Sequence, residues 1–215
     1  MIRIADTLKQ ARYFEQNGGS SGVKKVLKLL KPLLDQDLTD KQKVKVLSHL
    51  GKCTYKWESV DYLKRVLDLD PENTFALEWL GWQYQLLAKW EKCADHLMKA
   101  YKLNPKNDFL YPIGECLITA DRYDDGVIWV KKALADDSEN SVIMASLGYA
   151  YLLKGDHENC IKLLNNALKI NPEDQSAAWN LQVANLGAGN TNSLKIKSEE
   201  DWDRIIPLEI GEEKN

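Results

Sequence analysis

A helix-pair pattern returns every 33 or 34 residues along the middle of this chain. That period constrains the architecture more than any other feature, because one such unit cannot bury its apolar face without a neighbour stacked on it. The first clear copy runs from Thr74 to Pro105, with Leu77, Leu80-Gly81, Tyr84, Trp90, Cys93, Leu97, Ala100 and the closing Asn104-Pro105. The second, Asn107 to Ser138, puts Leu110, Ile113-Gly114, Leu117, Tyr123, Gly126, Val130 and Ala133 in the same slots. The third, Ser141 to Pro172, carries Met144, Leu147-Gly148, Tyr151, Gly155, His157, Cys160, Leu164, Ala167 and Asn171-Pro172. Gly81, Gly114 and Gly148 fall mid-helix, where glycine costs about 1 kcal/mol against alanine. Their recurrence predicts a close approach of the second helix of each pair, with the small residues Cys93, Gly126 and Cys160 facing them. Proline after a second helix ends it, since proline cannot continue a helix.

A degenerate copy precedes these, Asp40 to Pro71, with Val46-Leu47, Leu50, Ser59, Leu63 and Val66 in the slots. Leu47 stands there in place of the glycine, so the approach is expected to be less close. After the third copy, Gln175 to Leu186, with Ala178, Leu181 and Ala184, reads as a further first-type helix covering the open end, in a repeat region of residues 40–187. Upstream, residues 2–16 and 22–34 show helical apolar spacing and are joined by the turn-forming run Asn17 to Gly22. Residues 1–39 are therefore expected to form a capping hairpin outside the repeat. Residues 188–215 read as a linker and tail, in which Trp202, Ile205 and Ile206 make one short apolar face ended by Pro207.

About eight slots agreeing in three consecutive copies resemble the tetratricopeptide repeat family, over about residues 40 to 186. The resemblance implies an all-α fold, a right-handed α-solenoid with capping helices at both ends. It also implies a concave groove, lined by first-type helices, that holds peptides. Carried onto this chain, the groove positions are Phe75, Glu78, Trp79, Trp82 and Leu86, then Asp108, Tyr111, Glu115 and Thr119, then Val142, Ala145, Tyr149 and Leu153. A large aromatic side chain carries roughly 150–250 Å², and the largest exposed apolar patch on a monomer is about 300–600 Å². Phe75, Trp79 and Trp82 alone would fill that allowance. They either pack against neighbouring first-type helices, line a groove for a partner, or receive the chain's own tail through Trp202, Ile205 and Ile206.

Co-chaperone members of the family hold a C-terminal carboxylate with groove lysines and asparagines. This sequence departs from that pattern, for its few groove lysines, Lys41, Lys45 and Lys52, all sit in the degenerate copy. The stretch Asn107-Asp108-Phe109 through Gly114-Glu115-Cys116 looks like the middle repeat of type III secretion chaperones for translocator proteins, which makes a chaperone of a secreted protein the alternative role. Pro112 within that first helix is expected to delay or kink it.

Composition excludes several classes. A formal charge of −3 and a pI near 5.7 supply no basic field for a general nucleic-acid binder. With 44% hydrophobic and 28% charged residues the chain matches ordinary globular proteins. No long apolar run suggests a signal peptide or membrane span, so a cytoplasmic protein is expected. Cys53, Cys93, Cys116 and Cys160 form no C-x-x-C pair and are expected to be reduced packing residues. His49, His96 and His157 share no ligand spacing, so neither metal nor cofactor is expected. No phosphate loop, dinucleotide fingerprint or nucleophile elbow is present, and acidic runs such as Asp124-Asp125 and Asp136-Asp137 read as solvated helix ends. The expected function is a non-catalytic scaffold for a protein or peptide partner, ahead of an enzyme or a structural assembly subunit, with no indication of oligomeric state.

Overall fold

A computed structural model describes residues 4–188. Among these residues it contains eleven α-helices and no strand. In order they are α1 (Ile4–Asn17), α2 (Gly19–Leu30), α3 (Asp40–Cys53), α4 (Trp57–Leu69), α5 (Thr74–Leu86), α6 (Trp90–Leu103), α7 (Leu110–Thr119), α8 (Tyr123–Asp136), α9 (Ser141–Leu153), α10 (His157–Ile170) and α11 (Gln175–Gly187). Short 3₁₀ turns occupy Lys31–Asp35 and Asn107–Phe109. No helix among the described residues is long and apolar enough to cross a membrane.

The polar residue before several first-type helices starts them. Asn73 accepts the Ala76 N–H at 3.0 Å, Asn140 accepts those of Val142 and Ile143, and Asp174 accepts that of Ala177 at 3.0 Å. Each satisfies a donor that the first helical turn leaves unpaired. Three pairs turn on a left-handed residue in one recurring slot: Ala88 (φ 52°), Asp121 (φ 60°) and Gly155 (φ 73°). In each case the next N–H folds back onto a first-helix carbonyl: Lys89 on Tyr84, Arg122 on Leu117 and Asp156 on Tyr151.

The chain divides after Asp136 into two compact parts. In the first, each helix from α1 to α8 packs on the next, and the first-type helices α1, α3 and α5 also touch in sequence. Its central core holds Leu47, Leu63, Leu80, Tyr84, Leu97, Ile113 and Leu117, each at most 3% exposed. Burying a side chain of this size gains roughly 1.5–3 kcal/mol. A second cluster, Ala11, Val26, Leu30, Leu33, Leu38, Val46 and Leu50, ties the N-terminal hairpin to α3. In the second part α9, α10 and α11 close around Cys160, Leu164, Ala177 and Ala184.

The structure corrects several expectations. The gap left by glycine is filled mainly by the leucine or valine one turn beyond the small residue. A Cβ on Gly81 would stand 2.5 Å from Leu97 Cδ2, with the Cys93 carbonyl 3.6 Å away. The degenerate copy keeps its close approach. Val46, Leu47, Leu50 and Gly51 occupy on α3 the places of Ala76, Leu77, Leu80 and Gly81 on α5, so Gly51, and not position 47, faces Leu63. The α3 register is thus four residues later than a uniform period gives, and the buried Ser59 hydroxyl locks it by donating to the Gly51 carbonyl at 2.6 Å.

The expected turn from Asn17 to Gly22 shrinks to Gly18 alone, because Gly18 and Gly22 let the α2 backbone lie against the Phe14 carbonyl. Pro112 is the third residue of α7, where the N–H has no intrahelical partner, so it delays the helix to Leu110 without a break. The cysteines are not all reduced. Cys93 on α6 and Cys116 on α7 are joined by a disulfide, because both occupy fully buried slots on adjacent helices with their Cα atoms 6.3 Å apart. Cys53 and Cys160 are free.

Candidate functional site

On α5 the residues one step from the core slots form a continuous row. Phe75, Trp79 and Trp82 are half-buried, their inner faces packed on the central core cluster. Phe75 and Trp79, one helical turn apart, bring their ring centroids within 5.7 Å. The three rings are therefore packed on the core while each keeps part of its surface exposed. Glu78 beside them accepts from Lys106 Nζ at 3.1 Å, and Leu86 is 49% exposed at the helix end.

The next first-type helix, α7, adds Tyr111 and Glu115. Tyr111 Oη lies 3.5 Å from Glu115 Oε1, and Gln85 Nε2 on α5 lies 3.5 Å from Glu115 Oε2. Gln85 was not among the residues expected from the sequence; its signal is its place three residues after Trp82, on the same helical face. Asp108 lies exposed in the turn before α7, and Thr119 is exposed at that helix's end. Tyr149 and Leu153, 41% and 39% exposed, lie with Val142 on α9 in the second part. Trp202, Ile205 and Ile206 lie outside the described residues.

A polar cluster that sequence reasoning missed joins α1 to α3. Glu15 Oε1 lies 2.9 Å from His49 Nδ1 and accepts from Cys53 Sγ at 3.3 Å, while Glu15 Oε2 lies 3.4 Å from Lys52 Nζ. Burial pushes the Glu15 carboxyl up, but the hydrogen bonds from His49 and Cys53 and the charges of His49 and Lys52 outweigh it, leaving Glu15 below its ordinary range. Burial and the neighbouring carboxylate push the Cys53 thiol up to about 12. Burial raises Cys160 to about 11. Among the described residues no three His, Cys, Asp or Glu side chains are placed to hold a metal ion.

Residues 143–174 match the profile of the family described as Tetratricopeptide repeat. No protein with a curated description matches the sequence. Among solved structures the chain resembles MamA (20% identity, TM-score 0.63, covering 71% of this chain and 86% of that one). It also resembles MamA 41-end from Desulfovibrio magneticus RS-1 (17% identity, TM-score 0.59, 92% and 99%). A third likeness is to YrrB, described as a TPR protein with an unusual peptide-binding site (15% identity, TM-score 0.62, 82% and 89%). At such identities the likeness establishes a common fold, the all-helical solenoid of repeats.

Proposed function

We propose that this chain, which carries a tetratricopeptide repeat at residues 143–174 and shares its fold with MamA and YrrB, is a non-catalytic scaffold that binds a peptide or protein segment on the first-helix face of α5 and α7. The observation that carries this reading is the row Phe75, Trp79 and Trp82, packed on the core and still partly exposed. Aromatic rings already ordered before a partner arrives lose little entropy on binding, which is why such anchors dominate interfaces. Glu78, Gln85, Tyr111 and Glu115 supply a polar rim to fix a segment's direction. The peptide-binding site named for YrrB supports the same use of the fold. A thiol held at about 12 is protonated at neutral pH, so Cys53 offers no nucleophile.

The proposed place of action is the cytoplasm, although a disulfide such as Cys93–Cys116 is a feature of oxidising compartments. The redox state of that pair in cells therefore reads the compartment.

The test is capture of partners from a native lysate on the immobilised chain and on Trp79→Ala/Trp82→Ala, compared by mass spectrometry. A protein retained by the first bait and lost from the second, with helical content unchanged, supports the reading. Identical captures on both baits would remove the α5 face from consideration.

A further inference from the structure

The same face does not end at α5. A cavity of about 630 Å³ lies between α1, α3 and the start of α5, lined among others by Leu8, Lys9, Arg12, Lys45, Lys52 and Phe75. In the corrected α3 register, Lys45, Ser48, His49 and Lys52 stand where Phe75, Glu78, Trp79 and Trp82 stand on α5, and all four border the cavity. Ala5, Leu8, Lys9 and Arg12 present the same internal spacing on α1, 40 residues before their counterparts on α3, against the 30 that separate α3 from α5. One row of positions therefore runs over three consecutive first-type helices and changes from cationic on α1 and α3 to aromatic on α5.

The charges in the cavity are unbalanced. Among the described residues, Lys9, Arg12, Lys45 and Lys52 line it with a single carboxylate, Glu15, which is already engaged by His49 and Lys52. Lys9, Arg12 and Lys45 have no ion-pair partner among the described residues. Three uncompensated cations gathered in one hollow repel one another, and an anionic group entering between them relieves that repulsion. The walls are not wholly polar, since Leu8, Val44 and Phe75 border the same space. The chain as a whole carries a formal charge of −3, so an extended polyanion meets repulsion outside the hollow, whereas a short acidic segment does not.

We propose that this cavity is the docking site for an acidic peptide segment, its Asp or Glu carboxylates received by Lys9, Arg12 and Lys45 and an adjacent apolar side chain received by Leu8, Val44 and Phe75. The proposal rests on the peptide-binding reading of the α5 face and names the chemistry of the partner that face would take. Phe75 belongs to both, so the acidic stretch adjoins whatever apolar residues engage Trp79 and Trp82.

The experiment is selection from a random dodecapeptide display library on three baits: the full chain, Lys9→Gln/Arg12→Gln/Lys45→Gln, and Trp79→Ala/Trp82→Ala. Circular dichroism and thermal melting confirm that each bait is folded, the glutamine substitutions being at exposed positions. The expected result is enrichment on the full chain of peptides with two or more Asp or Glu next to an apolar residue. A synthetic peptide of the selected sequence should lose affinity by about tenfold or more on the glutamine variant and weaken as salt rises. Selection of neutral peptides that depend on Trp79 and Trp82 but not on the three cations would overturn this proposal and leave the α5 reading standing. Recovery of no enriched peptide on the full chain would overturn both. Enrichment of acidic peptides that bind the glutamine variant equally would remove the cavity as their site.

Discussion

Leu63 Cδ2 lies 2.7 Å from where a Cβ on Gly51 would stand, the same relationship that Leu97 has to Gly81. At Gly51 and Gly81 the closest atoms belong to a leucine side chain, which can turn aside at some cost. At Gly114 the obstacle includes the Val130 backbone nitrogen at 2.9 Å and the Gly126 carbonyl at 3.2 Å. Alanine gains about 1 kcal/mol of helix propensity over glycine, while overpacking costs typically 1–3 kcal/mol. Gly114→Ala is therefore expected to destabilise by about 2 kcal/mol net, and Gly51→Ala by less than about 1 kcal/mol. Urea unfolding of the two variants measures the difference; equal losses would show that the backbone contact at Gly114 relaxes freely.

Gly51 also shows where the sequence was legible and where it was not. The copies from Thr74 onward could be read because turn, glycine and closing residues all kept one spacing. In the first copy, the second helix and Pro71 keep that spacing while α3 is displaced by four residues, so a uniform period puts Leu47 opposite Leu63. The string Val46-Leu47 followed by Leu50-Gly51 matches Ala76-Leu77 and Leu80-Gly81 and carried the right register. The cationic cavity was hidden for another reason: Lys45 and Lys52 were legible as groove lysines, but they gain their meaning only beside Lys9 and Arg12, which belong to the N-terminal hairpin outside the repeat spacing. The aromatic row on α5 was legible, whereas its half-burial was not, because the depth of a groove depends on how neighbouring helices lean. The Cys93–Cys116 pair was missed because 23 residues of separation say nothing of two slots meeting across α6 and α7.

Ala88 occupies a left-handed conformation that glycine holds without strain at Gly155. For an alanine the Cβ in this region meets the following carbonyl, costing roughly 1–2 kcal/mol. Ala88→Gly is expected to stabilise the chain by about 1 kcal/mol after the greater freedom of glycine in the unfolded state is deducted. Asp121→Gly should gain less, since Asp121 Oδ1 accepts a 2.6 Å hydrogen bond from Tyr123 Oη. Denaturant midpoints of both variants test the order, and a loss of stability in Ala88→Gly would show that the turn is not strained.

The Cys93–Cys116 bond closes a loop spanning a sequence separation of 23 residues. Cross-linking a loop of that length removes unfolded-state entropy corresponding to about 3 kcal/mol. Protein purified without reductant and then unfolded should titrate two of its four thiols, Cys53 and Cys160, and all four after reduction. Reduction should lower the denaturant midpoint accordingly. Four thiols in the unreduced protein would show the pair open.

Glu15 binds His49, Lys52 and Cys53 in one cluster with its side chain only 8% exposed. Its carboxyl is lowered in the folded chain from an ordinary value of 4.5, because the hydrogen bonds and charges of its partners overcome burial. A group lowered on folding contributes stability that is present above its unfolded value and is lost as the pH falls through its folded one. The wild-type chain should therefore lose this contribution as the pH is taken below about 4.5, and Glu15→Gln should lack that part of the acid dependence. At neutral pH the same substitution leaves Lys52 without its counter-charge and is expected to cost about 2 kcal/mol. It also removes the only carboxylate that the described residues place in the cavity lining, so an acidic peptide should bind the variant more tightly although the fold is weaker. Urea unfolding at pH 7 and pH 4, with peptide titration at pH 7, separates the two effects. Unchanged acid sensitivity in the variant would show that Glu15 titrates alike in the folded and unfolded chain.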